Sequence, residues 1–448
     1  MRQWLNCNNL DLFPLCGGGK RKNFRAIPIL PCNALRHDEM YGKMSFVYLR
    51  IFANYGVNHT KEKSGCDNMV KIAILGFGIV GTGVAEVLAE NAEKIALSAA
   101  EQIELKYILD IRDCSDSPFA DKCVKGFAVI ERDPEVRVVV ECIGGAGVAY
   151  DFTKRALEAG KSVVTSNKEL VAAHGYELLT IAKERNVNYL FEASVGGGIP
   201  IIRPISQCLA ANEISEICGI LNGTTNYMLT EMAVKGLPFA DALKDAQALG
   251  YAEADPTADV EGHDACRKIC ILGSLSFGQH IYPDGVPTEG ITKITTEDIR
   301  YAASAGCKIK LLGRALRTED GKIAAYVAPH LVSKDNLLAN VEGVCNAIDV
   351  RGNAIGDVLF YGPGAGKLPT ASAVVADVID CVKHLDARKY IAWGAGGAEA
   401  AADPRTLQSR WYVRTATGSH ITEEAMSQLE LAPKLTAENA IVAFRVLD

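Results

Sequence analysis

The chain has 448 residues, of which 48% are hydrophobic and 23% charged. That length exceeds one ordinary core, so two or three domains are expected, and the composition excludes a disordered chain or a fibre. Lys and Arg number 47 against 54 Asp and Glu, a formal net charge of -7; this argues against nucleic acid as the main partner, because phosphate binding leans on a basic face. No apolar run reaches the ~20 residues a membrane span needs, so no membrane partner is expected.

The first 68 residues differ from the rest. They hold ten Lys/Arg against five Asp/Glu, three successive glycines (Gly17 to Gly19), and no sustained helical or strand period. They lack the order of a signal peptide and carry the acidic residues that transit peptides avoid. We read residues 1–68 as a non-native or disordered extension from an upstream start. The fourteen cysteines of the whole chain are scattered, with no Cys-x-x-Cys pair; Cys266 and Cys270 have no second pair to complete a zinc site. Dispersed cysteines in a large chain read as reduced, mostly small buried hydrophobes in a cytoplasmic protein.

At Met69 the character changes. Val70 to Leu75 is a short apolar run, Gly76-Phe77-Gly78-Ile79-Val80-Gly81 matches G-x-G-x-x-G, and a helical pattern follows through Val84, Val87 and Leu88. Strand, glycine turn and helix in that order form the dinucleotide-binding context: one glycine allows the turn, another lets the backbone approach a pyrophosphate lying on free N–H groups of the helix. A second strand, 104–109, ends at Asp110-Ile111-Arg112. A carboxylate there holds the ribose hydroxyl of NAD and an arginine accepts the 2′-phosphate of NADP; both are present, so the choice stays open, with NADP slightly preferred.

The run 137–145 reads as a buried strand ending at Gly144 and Gly145. A helix over 152–159 and a strand over 162–165 follow, with Lys168 just past the strand's end. In such sheets ligands bind outside the carboxyl ends of the strands, which moves Lys168 from a surface charge to a candidate substrate contact. A helix over 169–185 leads to a strand over 188–195, and Gly196 to Pro200 marks a domain crossover. Carbonyls there, beside Glu192, can hold a hard cation through oxygen ligands.

The second half opens with a strand over 217–221, a polar turn from Asn222 to Asn226 that can cap the helix after it, and helices over 226–235 and 239–249. Then Glu253, Asp255, Asp259, Glu261 and Asp264 gather on a loop that turns into a helix at His263. Asp264 and Lys268 lie one turn apart on one face. An isolated pair of this kind is a surface salt bridge of little value. The carboxylate-rich loop before it suits an ammonium-bearing substrate instead, and a lysine beside both carboxylate and cofactor can pass a proton while hydride moves.

The segments GFGIVG (76–81), ECIGG (141–145), TSNKELVAAHG (165–175), FEASVGGGIPII (191–202), ILNGTTNYML (220–229), LGYAEADPTADVEGHDACRK (249–268) and YGPGAGKLPTASAVV (361–375) resemble homoserine dehydrogenases, in the family's order. The resemblance implies reversible hydride transfer between L-aspartate 4-semialdehyde and L-homoserine, with NAD or NADP. It implies Lys268 as proton donor with Asp264 as its partner, and Lys168 in contact with cofactor and substrate. Glu253 would grip the substrate with Asp259 as helper. Gly76 to Gly81, Arg112, Gly144, Gly364 and Gly366 would line the cofactor. Glu192, Val195, Gly197 and Ile199 would hold a monovalent cation such as sodium, and the assembly would be a homodimer or homotetramer.

The expected fold is α/β: a Rossmann-type doubly wound parallel sheet (69–195) closed by a helix from 362–385, then an α+β catalytic and dimerisation domain (196–361). Residues 386–448 read as a Gly/Ala-rich linker (394–404) and a short ACT-like tail, with strands near 410–415 and 440–446 and a helix over 421–429. Two rivals are weaker. Aspartate-semialdehyde dehydrogenase would need a nucleophilic cysteine with a paired histidine, and a nucleotide sensor would not need Glu253, Asp264 and Lys268 together.

Overall fold

A computed structural model describes residues 69–387 and 389–447; the extension expected over 1–68 lies outside them. Two sheets organise the rest. The first is β1 (Met69–Leu75), β2 (Gln102–Leu109), β3 (Cys123–Val124), β4 (Val136–Glu141), β5 (Ser162–Thr165) and β6 (Tyr189–Leu190). Their spatial order is β3-β2-β1-β4-β5-β6, with every pairing parallel. Strands covered on both faces carry near-continuous apolar runs, and Ile72 to Leu75, Val138 to Val140 and Val163 to Val164 are all fully buried.

The connecting helices are α1 (Ile79–Glu90), α2 (Ala92–Ala99), α3 (Phe127–Arg132), α4 (Gly147–Glu158) and α5 (Lys168–Glu184). The expected strand over 188–195 is cut to two residues, because Glu192–Ser194 coils into a 3₁₀ turn. Phe191 is wholly buried there.

The second sheet contains β7 (Ile214–Ile220), β8 (Cys307–Arg317), β9 (Ile323–Ser333), β10 (Cys345–Gly352), β11 (Gly356–Pro363), β12 (Trp411–Arg414), β13 (Ser419–Ile421) and β14 (Val442–Leu447). Its order is β11-β10-β7-β8-β9-β14-β12-β13. Helices α6 (Gly223–Lys235), α7 (Phe239–Ala248), α8 (Thr257–Val260), α9 (His263–Phe277) and α10 (Thr296–Ser304) accompany it. Helix α11 (Lys367–Lys383) then returns to the first sheet, where a Cβ on Gly83 of α1 would lie 3.0 Å from Lys367 and 3.2 Å from Ala371. This is the closing helix the sequence led us to expect.

In the C-terminal segment the strands expected near 410–415 and 440–446 are β12 and β14. β14 pairs in parallel with β9, and β12 pairs antiparallel with β14, so the tail extends the second sheet. Tyr412 Oη donates to Asp298 Oδ1 at 2.6 Å and Arg414 Nε does so at 2.8 Å, which anchors β12 to the first turn of α10. The stretch read as a linker is packed too: Gly394 pairs with Gln279 and Ala401 with Ile323. Helix α12 (Gln428–Ala437) begins seven residues later than the expected helix at Ile421, because Ser427 and Glu430 form a reciprocal capping box there.

One expectation about the cysteines also changes. Cys114 and Cys123 are joined as a disulfide, brought together where the chain folds back between β2 and β3. Cys266 and Cys270 remain free and buried. No described helix is long and apolar enough to cross a membrane.

Candidate active site

The glycine turn is built as its spacing demands. Gly76 has φ +87°, and a Cβ on Gly81 would fall 2.0 Å from the Gly76 carbonyl oxygen. Any side chain at 81 therefore separates helix from turn. Gly78 is the N-cap of α1 and makes no side-chain capping bond, so the first N–H groups of the helix are left for an anion. Ile79 is 73% exposed at the same end. Opposite, Gly144 and Gly145 take φ +84° and +67° after β4. These features fit a dinucleotide.

Asp110 at the end of β2 is committed within the protein. Its Oδ2 accepts from the Phe77 N–H at 2.5 Å and from Arg112 Nη2 at 2.9 Å; its Oδ1 accepts from the Arg112 N–H at 2.8 Å and from Nε at 3.0 Å. The Arg112 bonds hold the Asp110 carboxyl well below the usual carboxylate range against the opposing effect of burial. Arg112 itself is 62% exposed, and its Nη2 would lie 3.6 Å from a Cβ on Gly78.

Two lysines from opposite halves of the chain meet on one carboxylate. Lys168, at the N-terminus of α5, places Nζ 2.7 Å from Asp264 Oδ1. Lys268, one turn beyond Asp264 on α9, places Nζ 2.8 Å from Oδ2 and donates to the Leu221 carbonyl at 2.8 Å. Asp264 is 4% exposed and Lys268 8%. Burial pushes the Asp264 carboxyl up, but Lys268 and Lys168 outweigh it and hold the group well below its ordinary value. Burial likewise works against the Lys168 ammonium, and the Asp264 charge prevails, so its pKa is raised.

Asn222 joins these groups. Its Nδ2 donates to Asp259 Oδ1 at 2.7 Å and to Asp264 Oδ2 at 3.0 Å, while its Oδ1 caps α6 through the Thr225 N–H at 2.8 Å. The sequence showed only the cap. The second role depends on a loop more than thirty positions away folding over the helix start, and an Asn-Gly-Thr-Thr turn carries no sign of that.

The five-carboxylate cluster separates in space. Asp255 Oδ1 accepts from the Thr257 N–H and hydroxyl, at 3.1 and 2.6 Å, and serves its own turn. Asp259 is half-buried, and burial raises its pKa. Glu253 is exposed on a loop that Thr224 fastens by donating to the Tyr251 carbonyl at 2.6 Å.

The crossover loop lies beside the late glycine loop: a Cβ on Gly197 would meet the Gly364 carbonyl oxygen at 2.4 Å, and Gly366 takes φ +123°. Glu192 is 3% exposed. Its Oε1 accepts from the amides of Ile201 and Ile202, at 2.5 and 2.8 Å, and its Oε2 from that of Arg203 at 2.8 Å. The carboxylate is thus spent on backbone. Among the described residues no cluster of three His, Cys, Asp or Glu side chains could hold a metal.

Burial pushes the thiol of Cys142, beside the glycine turn, far up from its usual value. That leaves no thiolate at the cofactor turn for acyl transfer.

Comparison with known proteins agrees with this geometry. Residues 76–192 match the NAD-binding domain of homoserine dehydrogenase, and residues 200–379 match the homoserine dehydrogenase domain. The homoserine dehydrogenase of Pseudomonas aeruginosa is 46% identical over 365 residues, covering 78% of this chain and 82% of that protein. That of Corynebacterium glutamicum is 44% identical over 327 residues, covering 71% of this chain and 73% of that one. A solved homoserine dehydrogenase from Thiobacillus denitrificans superposes with a TM-score of 0.77 at 35% identity, over 85% of this chain and 98% of that one. A hyperthermophilic archaeal homoserine dehydrogenase in complex with NADPH does so with a TM-score of 0.61 at 30% identity, over 72% and 99%. With its parallel sheet, its glycine turn and its shared carboxylate, this chain belongs to the homoserine dehydrogenase family.

Proposed function

We propose that this chain interconverts L-aspartate 4-semialdehyde and L-homoserine, with Lys268 as the proton donor and Lys168 and Asp264 as its partners. The observation that carries the assignment of roles is the single buried carboxylate with a lysine on each oxygen, at 2.7 and 2.8 Å. When bound, the nicotinamide cofactor would supply the hydride in reduction. Lys268 then gives a proton to the oxygen that becomes the alcohol, and the two ammonium groups stabilise the negative charge developing there. Asp264 holds both lysines in place, and Asn222 holds Asp264. In oxidation the transferring lysine must be neutral. We assign the proton movement to Lys268 and a standing charge to Lys168, whose pKa the Asp264 charge raises. Glu253 and Asp259 receive the substrate ammonium.

For the cofactor we favour NADP. Both oxygens of Asp110 are already taken by Phe77 and Arg112, so the carboxylate has little left for a ribose hydroxyl. The exposed Arg112 beside the glycine turn supports this reading, since an arginine there can accept a 2′-phosphate. We assign a sodium-like cation to the carbonyls of Glu192, Val195, Gly197 and Ile199; with no carboxylate free among them, a single positive charge suits the loop better than a double one. We assign dimerisation to the second sheet, which ends on β11 with Leu359 and Phe360 half-buried and Tyr361 exposed; an uncovered edge of this kind invites a partner. The free cysteines, such as Cys218, Cys270 and Cys381, keep a cytoplasmic setting as our reading.

The test is to follow nicotinamide absorbance with aspartate semialdehyde, using NADPH and NADH in turn. Oxidation of NADPH coupled to homoserine formation is the expected outcome. No turnover with either cofactor rejects the reaction, and a clear advantage for NADH rejects the Arg112 reading.

A further inference from the structure

Three residues beyond the end of α9, the helix carrying Asp264 and Lys268, His280 is 4% exposed. Its Nε2 lies 2.9 Å from the carbonyl oxygen of Ala172 in α5, one turn from Lys168 on that helix. A third segment closes the arrangement: Trp393 Nε1 lies 3.0 Å from His280 Nδ1. An indole N–H can only donate, so Nδ1 must accept, and the imidazole proton must sit on Nε2, where it donates to Ala172. Burial favours the same neutral ring, holding its pKa below the ordinary value although the Ala172 carbonyl pulls the other way.

The seat for the indole is built into both neighbours. Gly175, inside α5, faces the ring so closely that a Cβ would lie 2.6 Å from Trp393 Cζ2. Glycine inside a helix is less stable than alanine, and here the indole occupies the space. The His280 N–H donates to the Gly394 carbonyl at 3.0 Å, and the Gly394 N–H donates to that of Gly278 at 2.9 Å. At Gly396, φ is +72° and a Cβ would fall 1.9 Å from the His280 carbonyl oxygen. The Trp393 ring also meets Phe191 edge-on, with centroids 5.6 Å apart, immediately before Glu192.

Helix α5 follows a strand of the first sheet and α9 accompanies the second. Lys168 comes from one and Asp264 from the other, so their 2.7 Å contact depends on how the two helices align. We propose that His280, locked in one tautomer by Trp393, is a positioning residue: it fixes α5 against α9 so that Lys168 reaches the carboxylate that also holds Lys268. The kinetic side of this inference rests on the reaction proposed above; the structural side does not.

The full chain is compared with His280→Leu, His280→Gln and Trp393→Phe. Glutamine carries a donor and an acceptor that can replace both bonds; leucine carries neither. Two readouts are taken: kcat and KM with homoserine and NADP, and amide hydrogen exchange across α5 and α9. The expected result for His280→Leu is a fall in kcat of about ten- to a hundredfold, the scale of a small misplacement, with KM for the cofactor unchanged and faster exchange in α5. His280→Gln should recover most of both. Wild-type kcat and exchange in His280→Leu overturn the proposal, as does equal impairment in the leucine and glutamine variants, which would assign the effect to volume alone. Should His280→Leu fail to fold, Trp393→Phe decides, since it keeps an aromatic ring but loses the N–H; unchanged kcat and exchange there overturn the proposal. If the unaltered chain turns over no homoserine, the reaction assignment falls and hydrogen exchange alone settles the latch.

Discussion

Asp264 is the residue on which the proposed chemistry turns. A buried carboxylate facing two ammonium groups stays ionised deep into acid, and it keeps Lys168 charged into alkali. Removing Lys268 leaves the cofactor turn intact, because Gly76 to Gly81 make no bond to it. Lys268→Ala should therefore lower turnover by about 10²–10⁴-fold, the usual worth of a positioned proton donor, with NADPH binding preserved in a fluorescence titration. Turnover near the parent value would remove Lys268 from the role. At this scale the sequence was informative where residues are close along the chain: Asp264 and Lys268 share a face at helical spacing and do meet. It separated poorly among the five carboxylates, since each looks alike until burial and partners are known. Asn222 was legible as a cap and not as the link between Asp259 and Asp264.

Among the elements, β1, its glycine turn and α1 follow from local pattern alone, and helix α9 starts at His263 as expected. The late antiparallel strands were far less visible. In β9, His330 is fully buried, with Nδ1 2.9 Å from the Ala328 carbonyl and Nε2 3.2 Å from Tyr326 Oη. Burial, reinforced by the charges of Arg314 and Arg445, lowers its pKa to about 3. The folded chain thus refuses a proton that the unfolded chain takes up below about pH 6.5. Stability from this group is complete above that pH and lost as pH falls toward the folded value, by up to about 1.4 kcal/mol per pH unit. Denaturant melts between pH 7 and 4 should show this slope, reduced in His330→Gln; equal slopes in the two proteins would contradict it. The tail belongs to the same sheet. Ending the chain before Trp411 strips β9 of its β14 partner and Asp298 of Tyr412 and Arg414. The expected outcome is aggregation or a markedly lower Tm, rather than a stable enzyme lacking only a regulatory piece. A truncated protein with the parent Tm would show that the tail is dispensable.

For the molecule as a whole, the two sheets bring their lysines to one carboxylate. The parallel sheet brings the glycine turn and Lys168; the second sheet and its helices bring Asp264, Lys268 and Asn222. The first strand starts at Met69, and the match to the NAD-binding domain starts at Gly76. A chain begun at Met69 should therefore keep the kcat and Tm of the full chain; loss of either would give residues 1–68 a part in the fold or the site.

Short-range rules were enough for the glycine turn, the lysine and carboxylate one helical turn apart, and the longer strands of the first sheet, because neighbouring residues alone impose those geometries; they did not reveal β3, α2 or α3. Long-range folding decided which of several similar acids is buried between two cations, that Asp110 is spent on Phe77 and Arg112, that Cys114 meets Cys123, and that the last strands complete a sheet begun two hundred residues earlier. Desolvation and strand pairing depend on partners distant along the chain, and no local pattern specifies who those partners are.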